Sequence, residues 1–109
     1  MSIIFSSKAL DYIENLIPIL YEKGYFSFED QAKRYIDELY DDIITYLPTR
    51  LSKPAPPYFD KYGKNMFYAI FKKNKNTSWY VFFKTSWKND EEIYKVRHIA
   101  NNHTVAQYL

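Results

Sequence analysis

The chain of 109 residues is 47% apolar and 20% aromatic, with no cysteine and a net charge of +2. It is long enough for one domain over 1–109 with one core, and too short for two. The lack of cysteine excludes disulfides and thiolate metal sites, and two histidines without a dense carboxylate cluster leave neither metal nor cofactor expected.

Residues 1–8 carry no basic leader, and no window approaches the roughly 20 apolar residues that span a bilayer, so a soluble cytoplasmic protein with no membrane partner is expected. Residues 2–5 form a short apolar run that reads as a first strand. Ser6 or Ser7 then caps a helix over 7–23, whose apolar positions Ala9, Tyr12, Ile13, Leu16, Ile17 and Leu20 recur at helical spacing. Pro18 should kink this helix or divide it, and Gly24 should stop it. Ser27-Phe28-Glu29-Asp30 resembles a capping box and opens a second helix. Ala32, Tyr35, Ile36, Leu39, Ile43 and Leu47 mark its buried stripe, and Pro48 ends it.

Charge divides sharply at this point. The first 47 residues hold nine acidic against four basic residues, and the remainder holds four acidic against 11 basic. A basic half of this kind points to an anionic partner, either a nucleic acid or an acidic peptide segment.

Residues 48–64 contain four prolines and no period, which predicts an extended connection. Tyr58, Phe59 and Tyr62 predict that it is packed over the domain. Three strand-like runs follow, over 65–73, 77–87 and 92–100. The turns between them, Asn74-Lys75-Asn76 and Lys88-Asn89-Asp90-Glu91, predict an antiparallel meander. The tail, 102–109, adds a further helical turn or two. The expected class is α+β: a short N-terminal strand, a two-helix hairpin and a three-stranded meander, with the helices on one sheet face and the other face open.

Strand alternation then assigns side chains to faces. Phe67, Ala69, Phe71, Trp79, Val81, Phe83, Tyr94, Val96, His98 and Ala100 are expected in the core. The open face is expected to carry Tyr68, Lys72, Tyr80, Phe82, Lys84, Lys95 and Arg97, with Ile99 on the same side and Lys73 at the adjoining turn. Cations interleaved with aromatic rings suit single-stranded RNA, where cations meet phosphates and rings stack on bases. They suit an acidic protein segment equally well. His98 falls on the core side as a structural residue, whereas His103, beyond the strand beside Asn101 and Asn102, is the better candidate for a general acid or base. No Gly-rich phosphate loop, Gly-x-Ser-x-Gly elbow or His-x-x-x-His pair is present.

The opening Ile3-Ile4-Phe5-Ser6, the helical hairpin, the Leu47-Pro48 exit and the closing Val96-Arg97-His98-Ile99-Ala100-Asn101-Asn102-His103 give the chain a layout that resembles the RelE/ParE superfamily of toxins from type II toxin–antitoxin modules. The resemblance implies a RelE/ParE-like fold and a cognate antitoxin as partner. It also implies growth inhibition, either by ribosome-associated cleavage of messenger RNA as an endoribonuclease (mRNA interferase) or by poisoning DNA gyrase without catalysis. Its implied catalytic residues are Arg97, His103 and Tyr108. Tyr68, Lys72, Lys73, Tyr80, Phe82, Lys84 and Lys95 would contact RNA or antitoxin. Nuclease members carry lysines inside the first meander strand and an arginine early in the next. Here those places hold Tyr68, Ile70 and Tyr80, which leaves a histidine-based variant, gyrase binding or an inactive, protein-binding toxin open.

Overall fold

The structure, a computed structural model, describes residues 2–105 and 108–109. In chain order it has β1 (Ser2–Phe5), α1 (Ser7–Glu22), α2 (Glu29–Tyr46), a 3-10 turn (Leu47–Thr49) and β2 (Ser52–Pro54). A second 3-10 segment (Pro57–Tyr62), termed the strap, precedes β3 (Phe67–Asn74), β4 (Thr77–Lys88), β5 (Glu91–Asn101) and a short α3 (Asn102–Val105). The fold is α+β, with one mixed sheet in the order β1-β5-β4-β3-β2.

The helices follow their local chemistry. Ser6 caps α1 by accepting the Ala9 amide at 3.2 Å, and Gly24 follows its end at φ +78°, a left-handed conformation that suits glycine. The expected division at Pro18 does not occur, and α1 runs through it as one element. Pro18 lies on the exposed side, where water can satisfy the carbonyl that lost its donor. In α2 the cap is Phe28 rather than Ser27. Its amide donates to Gln31 Oε1 at 3.2 Å, so Gln31 provides the reach-back expected of a capping box.

The meander predicted from 65–100 is present as β3, β4 and β5, but the sheet has five strands, because β1 joins it and a further strand, β2, forms within the connection. β1 pairs in parallel with β5, placing Phe5 beside Val96. β2 forms within the proline-rich connection and pairs antiparallel with β3, from Ser52 beside Ala69 to Pro54 beside Phe67. Proline is tolerated there because β2 is an edge strand with no ladder beyond it.

α1 and α2 cover one sheet face. Ile13, Leu16, Ile36, Leu39, Ile43 and Leu47 pack on Ala69, Phe71, Trp79, Val81, Phe83, Val96 and Ile99. Trp79 Nε1 donates to the Tyr35 hydroxyl at 2.9 Å, satisfying the polar atom of a ring that is otherwise core. Phe67, expected in the core, lies near the β2 edge and is 40% exposed.

The other face is not open, which corrects the expectation. The strap crosses its middle and inserts Phe59, whose ring lies 4.4 Å from that of Phe82. Phe59, Met66, Tyr68, Phe82 and Ala100 form a second buried cluster, with Tyr62 and Tyr80 packed against it. Tyr68 and Phe82 are therefore interior residues. The run Trp79-Tyr80-Val81-Phe82-Phe83 is apolar on both sides because both sides are covered.

A second correction concerns β5. Phe82 pairs with His98 but Phe83 pairs with Val96, so Arg97 is an extra residue in β5, a β-bulge. The bulge shifts the alternation by one. Val96 and Ile99 both face the helices and are fully buried, while His98 and Ala100 face the strap. The expected placement of His98 in the helix-side core, and of Ile99 facing outward, follows a regular strand that the bulge interrupts. Residues 106–107 of the predicted tail helix lie outside the described residues.

Candidate functional site

β1 ends at Phe5, and the chain turns into α1 after the Ser6 amide donates to the Val96 carbonyl at 2.9 Å. The outer edge of β5 beyond Val96 therefore has no neighbouring strand. The bulge presents Arg97 and His98 at that edge. A groove of about 860 Å³ lies there, bounded by the first turns of α1 with Lys8 and Tyr12, by Asp60, Lys61 and Tyr62 of the strap, and by Arg97 and His98.

The imidazole of His98 is held among rings. Tyr62 stacks on it at 3.7 Å with 5° between the planes, Tyr12 of α1 lies at 5.6 Å and Phe82 at 5.8 Å. Burial, aided by the Lys61 charge, pushes its pKa down to about 4, so the ring is neutral near pH 7. Burial also raises the Tyr12 pKa, with Tyr62 adding to the shift, so the Tyr12 hydroxyl stays protonated.

Three cations surround these rings. Lys61 Nζ donates to the Tyr58 hydroxyl at 3.3 Å, and lies 4.3 Å from the Tyr58 ring centroid and 5.3 Å from that of Tyr62. The Tyr58 hydrogen bond raises the Lys61 pKa and keeps it charged. Arg97 Nε is buried without a hydrogen-bond acceptor among the described residues, and neither Arg97 nor Lys8 forms an ion pair there. Gly63, at φ +152°, closes the strap beside Arg97; a Cβ at Gly63 would sit 3.9 Å from Arg97 Cγ and 3.2 Å from Met66 Sδ.

Of the three residues named as catalytic candidates, only Arg97 lines the groove. Tyr108 lies on the strap, its ring stacked on Tyr58 at 3.7 Å and 3°, and reaches the groove only through Tyr58 and Lys61. His103 is exposed on α3, its amide donating to Asn101 Oδ1 at 3.0 Å, and does not line the groove.

The candidate contact residues also separate. Lys73 turns to the helix side, where it meets Glu38 at 3.7 Å and the Tyr35 ring at 5.0 Å. A register irregularity between Lys72 and Asn74 accompanies this turn, while Lys72 stays exposed opposite Ser78. Tyr80 is half-buried with its ring edge-on to Tyr68. Lys84 and Lys95 stand directly opposite each other across β4 and β5.

Sequence reasoning passed over Lys8, Tyr12, Lys61 and Tyr62. The available signal was the aromatic content of 58–62, a cluster out of place in an exposed linker. Among the described residues no three histidine, aspartate or glutamate side chains gather as a metal site would require. No described helix is long and apolar enough to cross a membrane. No protein-family model matches this chain, and neither does any curated protein or solved structure.

Proposed function

We propose that this protein is a growth-arresting toxin of the RelE/ParE kind, neutralised by a cognate antitoxin, and that it acts by cleaving messenger RNA on the ribosome. The supporting observation is the groove at the open edge of β5, where Lys8, Lys61 and Arg97 surround a neutral imidazole flanked by tyrosines. Cations without ion pairs favour a phosphodiester, and aromatic side chains beside them favour a splayed base.

In this reading the RNA 2′-hydroxyl attacks the adjacent phosphorus, the bond to the 5′-oxygen breaks, and a 2′,3′-cyclic phosphate and a 5′-hydroxyl end result. A neutral His98 can accept the 2′-hydroxyl proton, and the departing 5′-oxygen takes up a proton from the imidazolium or from water. Arg97 and Lys61 offset the charge that gathers on the phosphoryl oxygens.

Induction of the protein in cells, with growth, message integrity and DNA breaks followed together, tests the proposal. Growth arrest with fragmented messages is expected, relieved by Arg97→Ala and by His98→Phe but retained in His103→Ala. Arrest with intact messages and broken DNA would replace this reading with gyrase poisoning. Unaffected growth would leave a protein-binding module.

A further inference from the structure

We infer that Lys84 and Lys95 form a second phosphate subsite, adjoining the groove, that holds the next part of a single-stranded RNA. The inference rests on the RNA reading of the groove.

Lys84 and Lys95 are direct partners in the antiparallel ladder, so their side chains leave the same face of the sheet side by side. Like charges in that position oppose folding unless something negative lies between them. Nothing negative does so: neither lysine has a hydrogen bond or an ion pair among the described residues. Among the described lysines only Lys33, with Asp37 at 2.9 Å, and Lys73, with Glu38, form ion pairs. The carboxylates nearest in sequence are engaged in other contacts. Glu91 accepts from the Ser2 hydroxyl, and Glu92 accepts from the Tyr94 hydroxyl at 3.0 Å.

The position completes the argument. The strap covers the row containing Tyr68, Phe82 and His98. The row containing Lys84 and Lys95 lies beyond it, continued by the exposed Ile4 of β1. Lys95 precedes Arg97 by two residues on β5, about 7 Å along a strand. A chain whose phosphate is held by Arg97 therefore meets the lysine pair as it leaves the groove. The strip carries cations and one aliphatic side chain but no aromatic anchor of the kind that dominates protein interfaces, which favours a polyanion backbone over an acidic peptide.

Binding of fluorescent, cleavage-resistant 2′-O-methyl oligouridylates to the full chain, read by anisotropy between about 50 and 200 mM salt, tests this. The double variant Lys84→Gln/Lys95→Gln should bind a hexamer roughly tenfold more weakly, with its salt slope reduced by about 1.4, the value for two lost contacts to a single strand. Binding of a dinucleotide, which reaches only the groove, should be unchanged. Equal hexamer binding by wild type and double variant would overturn the subsite and leave the groove reading standing. Failure of the wild type to bind either oligonucleotide would overturn both. Weakened binding of polyglutamate with unchanged hexamer binding would reassign the strip to a protein partner.

Discussion

The two faces of the sheet are covered by different means. On one, two helices supply a continuous aliphatic stripe from Ile13 to Leu47 that meets side chains from β3, β4 and β5. On the other, a six-residue 3-10 segment holds itself down with Phe59, while its tyrosines and Lys61 stack around the edge of the sheet. The helical face is a core in the usual sense. The strap face is a cover, secured at one buried point and bordered by charged and aromatic groups that keep contact with water. Stability and function should therefore separate between the faces.

Leu39→Ala offers the largest effect. It truncates a fully buried side chain at the centre of the helical face and should lower global stability by about 3–4 kcal/mol in chemical denaturation. Phe59→Ala should cost about 3 kcal/mol, the low end for a buried aromatic ring because the strap can relax around it, and should act locally. Its strap amides should exchange quickly while the β4 amides keep their protection. Equal loss of protection throughout the sheet would show that the two covers form one cooperative unit.

A smaller effect separates the faces by pH. The folded-state pKa of His98 lies below its ordinary value, so the unfolded chain takes up a proton first as pH falls. Its contribution is complete above about pH 6.5 and is lost as pH drops towards 4. Because the imidazole keeps some solvent contact, the loss is discounted to about 1–2 kcal/mol. The difference in unfolding free energy between wild type and His98→Phe, followed from pH 7 to 4, reads this term apart from the carboxylates. A difference that does not change with pH would remove His98 from the account. The smallest effect is expected on the outer side of α2, where Lys33→Ala breaks an exposed pair with Asp37 and should shift stability by less than about 0.5 kcal/mol.

The helical face was legible because its signals are local and periodic. Leu39 and Ile43 repeat at helical spacing, and Ser6 and Gly24 mark the ends of α1. Trp79, Val81 and Phe83 were assigned to the correct side by alternation alone. The strap face was half legible: Phe59 announced that the connection packs, yet Tyr68 and Phe82 were still assigned to an open surface. The continuous apolar run in β4 held the missing information, since a strand with one wet face does not carry Tyr80 and Phe82 between core residues. The bulge had no such sign. Arg97 is neither glycine nor proline, and its extra place in β5 arises from pairing with β4, which no window within β5 contains. His98 was therefore assigned to the wrong face, and the groove beside it went unread.

The same bulge gives one strand two phases. Before Arg97, even-numbered side chains of β5 reach the helices; after it, odd-numbered ones do, as Val96 and Ile99 illustrate. Drawing Arg97 into the ladder opposite Phe82 would exchange the environments of every position that follows, sending His98 towards aliphatic packing and Ile99 towards tyrosines, whereas deleting it would leave those pairs in place. The unpaired place at Arg97 is thus what lets Val96 and Ile99, three residues apart in sequence, share one face of the sheet.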